Sequence, residues 1–176
     1  MKIAYISGPY RGPTIFHRAW NIYKARQVAK KYWQLGYATF CPHSNTAFFD
    51  GLVHDDSFLR GDIRFLDHAD LIVMQGKWPE SNGSLMELHY AVCEVALKTG
   101  GPTNVIFETE ALLGQILVRR MLQLAWGDTH HPYSCILPTP SEEADAIKSV
   151  RKGGILRRLR DTILQPKSPS MDREGG

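Results

Sequence analysis

The chain has 176 residues, a formal net charge of +3 and an apolar share of 43%, which fits one globular domain with some terminal surplus and excludes global disorder. Its three cysteines (Cys41, Cys93 and Cys135) are widely spaced and form no C-x-x-C pair. We therefore expect neither a zinc site nor a disulfide framework, and we expect a cytoplasmic location. No run of about 18 apolar residues predicts a membrane span.

The predicted secondary structure alternates between strands and helices. Short apolar runs that end at Gly or Pro indicate strands, and apolar residues at helical spacing indicate helices. In chain order, we predict a strand over 2–7, a helix over 15–34, a strand over 37–41, an irregular connection over 43–56, a helix over 57–67, a strand over 70–75, a helix over 84–98, a strand over 104–107, a helix over 109–126 and an edge strand over 133–137.

This alternation is typical of a parallel sheet with right-handed crossover helices, so we expect an α/β fold with a mainly parallel sheet. Ligands of such sheets bind outside the carboxyl ends of the strands. By position, the candidate binding segments are therefore 8–13, 42–50 and 76–87. Residues 1–140 are expected to form this domain, and residues 141–176 a basic helical extension with a disordered tail.

Two of these segments hold groups suited to a ligand. Residues 8–12 follow the first strand, where glycine allows close backbone approach and a helix N-terminus attracts anions. They match neither the dinucleotide fingerprint nor the Walker A loop, so a plain strand-to-helix turn is the alternative. His43 and Asn45, followed by Phe48 and Phe49, could hydrogen-bond and stack on a planar base, or His43 could be an ordinary loop residue.

The helix that follows the third predicted strand opens with small, hydroxyl-bearing residues and free amides, which form a ready anion site. These residues are Ser81, Asn82, Gly83 and Ser84. Glu87 fits two interpretations. It could complete an S-x-x-E capping box with Ser84 at the start of a solvated helix face. It could equally be a reactive carboxylate of an α/β enzyme, and the local pattern leaves both open.

Two charged features, Asp62 and the basic segment 146–160, each have two interpretations. Asp62 lies near the start of the predicted helix 57–67, where the helix dipole favours an acid, and a functional role is the other interpretation. Residues 146–160 carry six Lys or Arg and no acid, so they either form a solvated helix or contact nucleic-acid phosphates. No aromatic or groove-reading motif accompanies them, so nucleic acid is not the partner that we expect.

Several short motifs occur together in a fixed order. They are Y-I-S-G-P-Y at 5–10, G-D at 61–62, A-D at 69–70 and S-x-G-x-x-x-E-x-x-x-A at 81–91. In this order they resemble the nucleoside 2-deoxyribosyltransferase superfamily, which includes 2′-deoxynucleoside 5′-phosphate N-hydrolases. The resemblance covers about residues 3–107 and is strongest to a branch with a domain of unknown function. It implies a flavodoxin-like or Rossmann-like three-layer sandwich that assembles as a homo-oligomer.

The resemblance also implies a reaction. Members of the superfamily break the N-glycosidic bond between a base and deoxyribose through a glutamate nucleophile, which corresponds to Glu87. Tyr5 corresponds to the tyrosine that orients the nucleophile, and Asp62 to the aspartate that assists the leaving base. Water as acceptor gives a hydrolase and a second base gives a transferase, without a cofactor or metal. The same pocket without a reactive Glu87 would be a nucleotide-binding or sensing module.

The resemblance further implies that the substrate is a nucleotide or nucleoside. Nucleoside-type members carry an acid six residues before the nucleophile, whereas this chain has Ser81, as the nucleotide-type hydrolases do. An acid would repel a phosphate, so we expect a 5′-phosphate, with Arg11 neutralising part of its charge. The positive end of the helix would favour ionised Glu87 by roughly 0.3–1 kcal/mol. The expected phosphate-binding residues are Gly8, Pro9, Tyr10, Arg11, Gly12, Ser81, Asn82, Gly83 and Ser84.

Overall fold

The computed structural model describes residues 1–95 and 103–126. Within these ranges the centre of the molecule is a four-stranded sheet in which every neighbouring pair of strands is parallel. The strands are β1 Ile3–Ser7, β2 Ala38–Phe40, β3 Leu71–Met74 and β4 Asn104–Phe107. Their spatial order is β2-β1-β3-β4. The four strands predicted within the described ranges are therefore confirmed. The strand predicted over 133–137 and the extension and tail predicted over 141–176 lie outside the described residues.

The described helices largely follow the apolar spacing of the sequence. The connection predicted over 43–56 proved wrong in part, because a short helix begins at Pro42, whose fixed φ is preorganised for a first helical turn. None of the described helices is long and apolar enough to cross a membrane. In chain order the helices are α1 Ile15–Gln34, α2 Pro42–Asn45, α3 Asp55–Leu66, a 3-10 turn Trp78–Glu80, α4 Asn82–His89, a π-helical turn Tyr90–Glu94 and α5 Ala111–Trp126.

The helices cover both faces of the sheet. Alternate side chains of β1 point to opposite faces, so Ala4 and Ile6 pack on one side while Tyr5 packs on the other. The first side is covered by α1 and the second by α4 and α5, which makes an α/β three-layer sandwich of the flavodoxin-like or Rossmann-like kind. The helical residues that meet the two faces are Ala25, Ala29 and Tyr32 on the first side and Leu85, Leu88 and Leu117 on the second.

The strand order reverses at β1. From β1 the chain moves to β2 on one side of it and then to β3 on the other. Such a reversal leaves a crevice outside the carboxyl ends of the two strands, because the connections leave them in opposite directions. The loop after β1 and the loop after β3 border this crevice, and the latter leads into α4.

Candidate active site

Glu87 lies buried on α4, with 7% of its surface exposed. Tyr5 Oη donates a hydrogen bond to its Oε1 at 2.8 Å, and Ser7 Oγ donates one to its Oε2 at 2.5 Å. Tyr5 and Ser7 are two residues apart on β1, so their side chains point to the same face of the sheet. The strand therefore supplies a donor to each oxygen of the carboxylate.

The capping-box interpretation of Glu87 is wrong. α4 begins at Asn82, and its N-cap is Ser81, whose Oγ accepts a hydrogen bond from the Ser84 amide at 3.3 Å. Glu87 is thus in the second turn of the helix, and it faces inward instead of toward solvent. Because the helix dipole acts mainly within the first turn, the expected stabilisation of the ionised carboxylate by the dipole does not apply. The hydroxyls of Tyr5 and Ser7 stabilise the ionised carboxylate instead.

Asp62 lies partly buried on α3, close enough for its charge to act on Glu87 and Tyr5. α3 spans Asp55–Leu66, so Asp62 is in its second half and the expected role near a helix start is wrong. Burial raises the pKa of Asp62 to about 6. The structure thus brings Asp62 near both Tyr5 and Glu87.

The Glu87 carboxyl is balanced between its two protonation states. Burial raises its pKa to about 7, the hydrogen bonds from Ser7 and Tyr5 oppose this rise, and the charge of Asp62 adds to it. Burial, and next the charge of Glu87, raise the pKa of Tyr5 well above its usual value, so the phenol stays protonated and remains a donor. The two acids therefore both titrate near neutral pH.

The start of the loop over 8–12 lies against the carboxyl end of β3. A Cβ at Gly8 would overlap the side-chain amide of Gln75 and lie 2.9 Å from the Gln75 carbonyl oxygen. Only glycine allows this close approach of the two strand ends. A Cβ on Gly12 would likewise lie 2.5 Å from that of His17, so the loop also closes tightly onto the start of α1.

The middle of this loop is held by side chains from three other segments. Tyr10 Oη donates to Asp50 at 3.0 Å, and Arg11 forms an ion pair with Asp55. The Asn21 side-chain amide donates to the carbonyl oxygens of Tyr10 and Arg11 at 3.4 and 3.1 Å. The loop is therefore anchored to α1, α3 and the connection after α2, and the charge of Arg11 is shared with an acid.

The two residues predicted to contact a base lie in different surroundings. His43 is 4% exposed, with its ring 5.9 Å from the Tyr10 ring, and backbone groups of Gly8 and Pro9 lie close enough to its ring to act on its pKa. Burial lowers its pKa, so the ring is neutral at physiological pH. Asn45 is exposed and lines a cavity of about 400 Å³ with Arg26 and Trp33, to which Glu87 does not contribute. Only His43 lies next to the loop over 8–12.

The expected anion site at the start of α4 is partly present. Asn82 and Gly83 occupy the first turn, where backbone amides have no partner within the helix. Ser84 differs from the expectation, because its amide donates to Ser81 and its hydroxyl is buried without a described partner. The groups left for an anion are therefore the Asn82 and Gly83 amides and the Ser81 side chain.

Sequence reasoning missed three polar residues of this region. Ser7 could have been found, since it follows Tyr5 by two residues on a predicted strand and so shares its face. Gln75 is a polar residue, 3% exposed, directly after the apolar strand β3, which is a weaker signal. Asn21 lies within α1, and nothing in its local spacing indicates that it contacts the loop.

Glu87 lines neither the cavity of about 400 Å³ beside Asn45 nor a second cavity among the described residues. The second has a volume of about 540 Å³ and lies between β4 and α5. Within residues 1–95 and 103–126, no group of three or more His, Cys, Asp or Glu side chains is placed to hold a metal ion.

The fold and this site define an α/β protein with a buried glutamate beside the carboxyl edge of a parallel sheet. The family described as "Domain of unknown function (DUF4406)" matches residues 1–98, which is more than half of the chain, and the chain belongs to this family. No curated protein and no solved structure matches the chain. The matched range contains Tyr5, Ser7, Asp62 and Glu87, so the whole cluster lies inside the family domain.

Proposed function

We propose that the protein cleaves the N-glycosidic bond of a nucleoside or 2′-deoxynucleoside 5′-monophosphate through a covalent glycosyl–Glu87 intermediate. The observation that carries this proposal is the buried Glu87 carboxylate, held by the Tyr5 hydroxyl at 2.8 Å and electrostatically coupled to Asp62. These three residues are the ones that the resemblance to the nucleoside 2-deoxyribosyltransferase superfamily assigns to catalysis. They come from three separate elements, so local structure alone gives no reason for them to meet.

In the first step, an ionised oxygen of Glu87 attacks C1′ of the sugar. A C1′–O bond forms while the C1′–N bond breaks, and the electron pair of the broken bond leaves with the base. Asp62 in its protonated form donates a proton to the departing base, a contribution of about 10²–10⁴-fold in rate. The two acids titrate as a coupled pair, and the reactive form, with its single proton on Asp62, is the less populated one because the pKa of Glu87 is the higher.

In the second step, an acceptor attacks C1′ and the C1′–O bond breaks, which returns its electron pair to Glu87. Asp62, now ionised, takes a proton from the acceptor. Water as acceptor gives a hydrolase and a second base gives a transferase. The Tyr5 hydroxyl donates its hydrogen bond to Glu87 Oε1 through both steps, because its raised pKa keeps the phenol protonated.

The crevice also supplies groups that suit a 5′-phosphate. Ser81 and the amides of Asn82 and Gly83 bring donors without negative charge to the start of α4. Arg11 lies in the loop after β1, and a phosphate bound there would compete with Asp55 for its guanidinium. These groups favour a nucleotide over a nucleoside as the substrate.

Access to Glu87 sets a requirement on the reaction. C1′ must reach a carboxylate oxygen, yet only 7% of the Glu87 surface is exposed. Substrate binding must therefore widen the opening above the carboxylate. Once the sugar is in place, exclusion of water would strengthen the electrostatic interactions of the site.

Glu87→Gln tests the proposal. Glutamine keeps the size and hydrogen-bonding capacity of the side chain but removes the nucleophile. We expect this variant to stay folded, bind nucleotide and lose release of free base, measured by chromatography after incubation with a panel of nucleoside 5′-monophosphates. The matched control is Glu94→Gln, which changes an exposed glutamate on the adjoining π-helical turn and should keep the wild-type rate.

Base release by Glu87→Gln at the wild-type rate would rule out the catalytic assignment. A wild-type protein that binds nucleotides but releases base from none of them would instead be a binding or sensing module.

A further inference from the structure

We propose that Ser7 is a positioning residue for Glu87: the Ser7 hydroxyl holds Oε2, favours the ionised carboxylate and fixes it against β1. This inference deepens the proposed function and rests on it for its consequence in the reaction. Tyr5 holds Oε1 in the same way, so the two hydroxyls together fix the plane of the carboxylate.

The position of Ser7 is rigidly determined. It is the last residue of β1 and is fully buried, and its backbone carbonyl accepts a hydrogen bond from the Gln75 amide at 3.0 Å. In the sheet register it pairs with Met74 of β3. The neighbouring strand fixes the backbone of Ser7, and its hydroxyl lies 2.5 Å from Oε2. Little conformational entropy of Ser7 is therefore left to lose when a substrate binds.

The charges around Glu87 explain why a second donor matters. The described groups that act on its charge are Ser7 and Tyr5 from β1 and Asp62 from α3. The two hydroxyls stabilise the ionised form, whereas the charge of Asp62 and burial oppose it. None of these groups is a cation, so neutral donors must offset the effect of burial.

Loss of one donor should therefore change the ionisation of Glu87 measurably. A hydrogen bond to a buried charged group is strong enough that its removal shifts a pKa by about one unit or more. In Ser7→Ala the pKa of Glu87 should rise by this amount, and a rise of one unit from about 7 should lower the ionised fraction of the carboxylate at pH 7 about fivefold.

The experiment is a titration of the Glu87 carboxyl by ¹³C NMR of glutamate-labelled protein, with the signal assigned through Glu87→Gln. The variants are Ser7→Ala and Ser7→Thr, the latter of which restores a hydroxyl. The control is Ser84→Ala, which removes a buried serine hydroxyl from the helix of Glu87 without removing any described hydrogen bond. We expect a raised pKa in Ser7→Ala alone.

The same shift should appear in the pH dependence of base release. Because the pKa of Glu87 is the higher of the two, its rise in Ser7→Ala should lower the maximum of the kcat profile and move the alkaline limb to higher pH, with little change in KM. A Glu87 pKa that is the same in Ser7→Ala as in the wild type and Ser84→Ala would overturn the assignment. The titration needs no turnover, so a wild-type protein that releases no base would defeat the proposed function while the role of Ser7 is still decided.

Discussion

At the scale of single residues, the buried acids Glu87 and Asp62 supply the proposed chemistry but destabilise the folded state when they are ionised. Burial raises the pKa of Glu87 to about 7 and that of Asp62 to about 6, above their ordinary values of 4.5 and 3.8. Between the ordinary and the raised values, the folded state binds more protons than the unfolded state does. The free energy of unfolding therefore falls as the pH rises through about 4 to 7.

Glu87→Gln should stabilise the protein at pH 8. The variant carries no buried charge at this position, and its amide can still exchange hydrogen bonds with the Tyr5 and Ser7 hydroxyls. We expect a free energy of unfolding about 1–3 kcal/mol above that of the wild type at pH 8, and a smaller difference at pH 5. Urea denaturation at the two pH values measures both. A variant less stable than the wild type at pH 8 would show that the Glu87 charge is not destabilising.

The role of Glu87 could be predicted only in part from its neighbours in the sequence. Both Ser81 and Ser84 precede it, and either could have been the N-cap of its helix. The 3-10 turn over Trp78–Glu80 places Ser81 at the cap, which moves Glu87 to the second turn and to the inner face. Local spacing does not encode that turn. The ordered motifs, which span distant segments, grouped Tyr5 and Asp62 with Glu87, and the structure places these three residues near one another.

At the scale of the element, α4 combines a structural cap with the expected phosphate site. Ser81 is its N-cap and also the residue on which the preference for a nucleotide depends. These two roles can be separated, because aspartate is as good an N-cap as serine but carries a negative charge.

Two substitutions at Ser81 make this separation. Ser81→Ala should lower the free energy of unfolding by about 1 kcal/mol through loss of the cap. Ser81→Asp should keep the wild-type stability but raise KM for a 5′-monophosphate relative to the matching nucleoside by about tenfold or more, through repulsion of the phosphate. Thermal unfolding and steady-state kinetics measure the two effects. An unchanged preference for the monophosphate in Ser81→Asp would place the phosphate elsewhere.

Element boundaries were harder to predict where distant segments decide them. The helix predicted from position 84 begins at Asn82 and changes to a π-helical turn after His89. In that turn the carbonyl oxygen of Ala91 accepts a hydrogen bond from the Thr103 amide at 3.3 Å. This contact joins the helix to the segment just before β4, so apolar spacing within the helix carries no sign of it.

At the scale of the whole molecule, the alternation of strands and helices was sufficient to predict an α/β fold with a mainly parallel sheet. β3 shows why, since all four of its side chains are buried and its sequence is a continuous apolar run, as expected of a strand covered on both faces. The strand order β2-β1-β3-β4 required the structure. It places the reversal between β1 and β3, next to Ser7 and Gly8, and so locates the crevice.

The most direct measurement of the central claim is whether a sugar becomes bonded to Glu87 during turnover. Protein mixed with a nucleotide from which it releases base would be quenched in acid, digested and examined by peptide mass spectrometry. We predict that the peptide containing Glu87 carries the added mass of one sugar phosphate and that the same peptide from Glu87→Gln carries none. A sugar phosphate on a different residue would contradict this claim. Release of base by Glu87→Gln at the wild-type rate would contradict it as well.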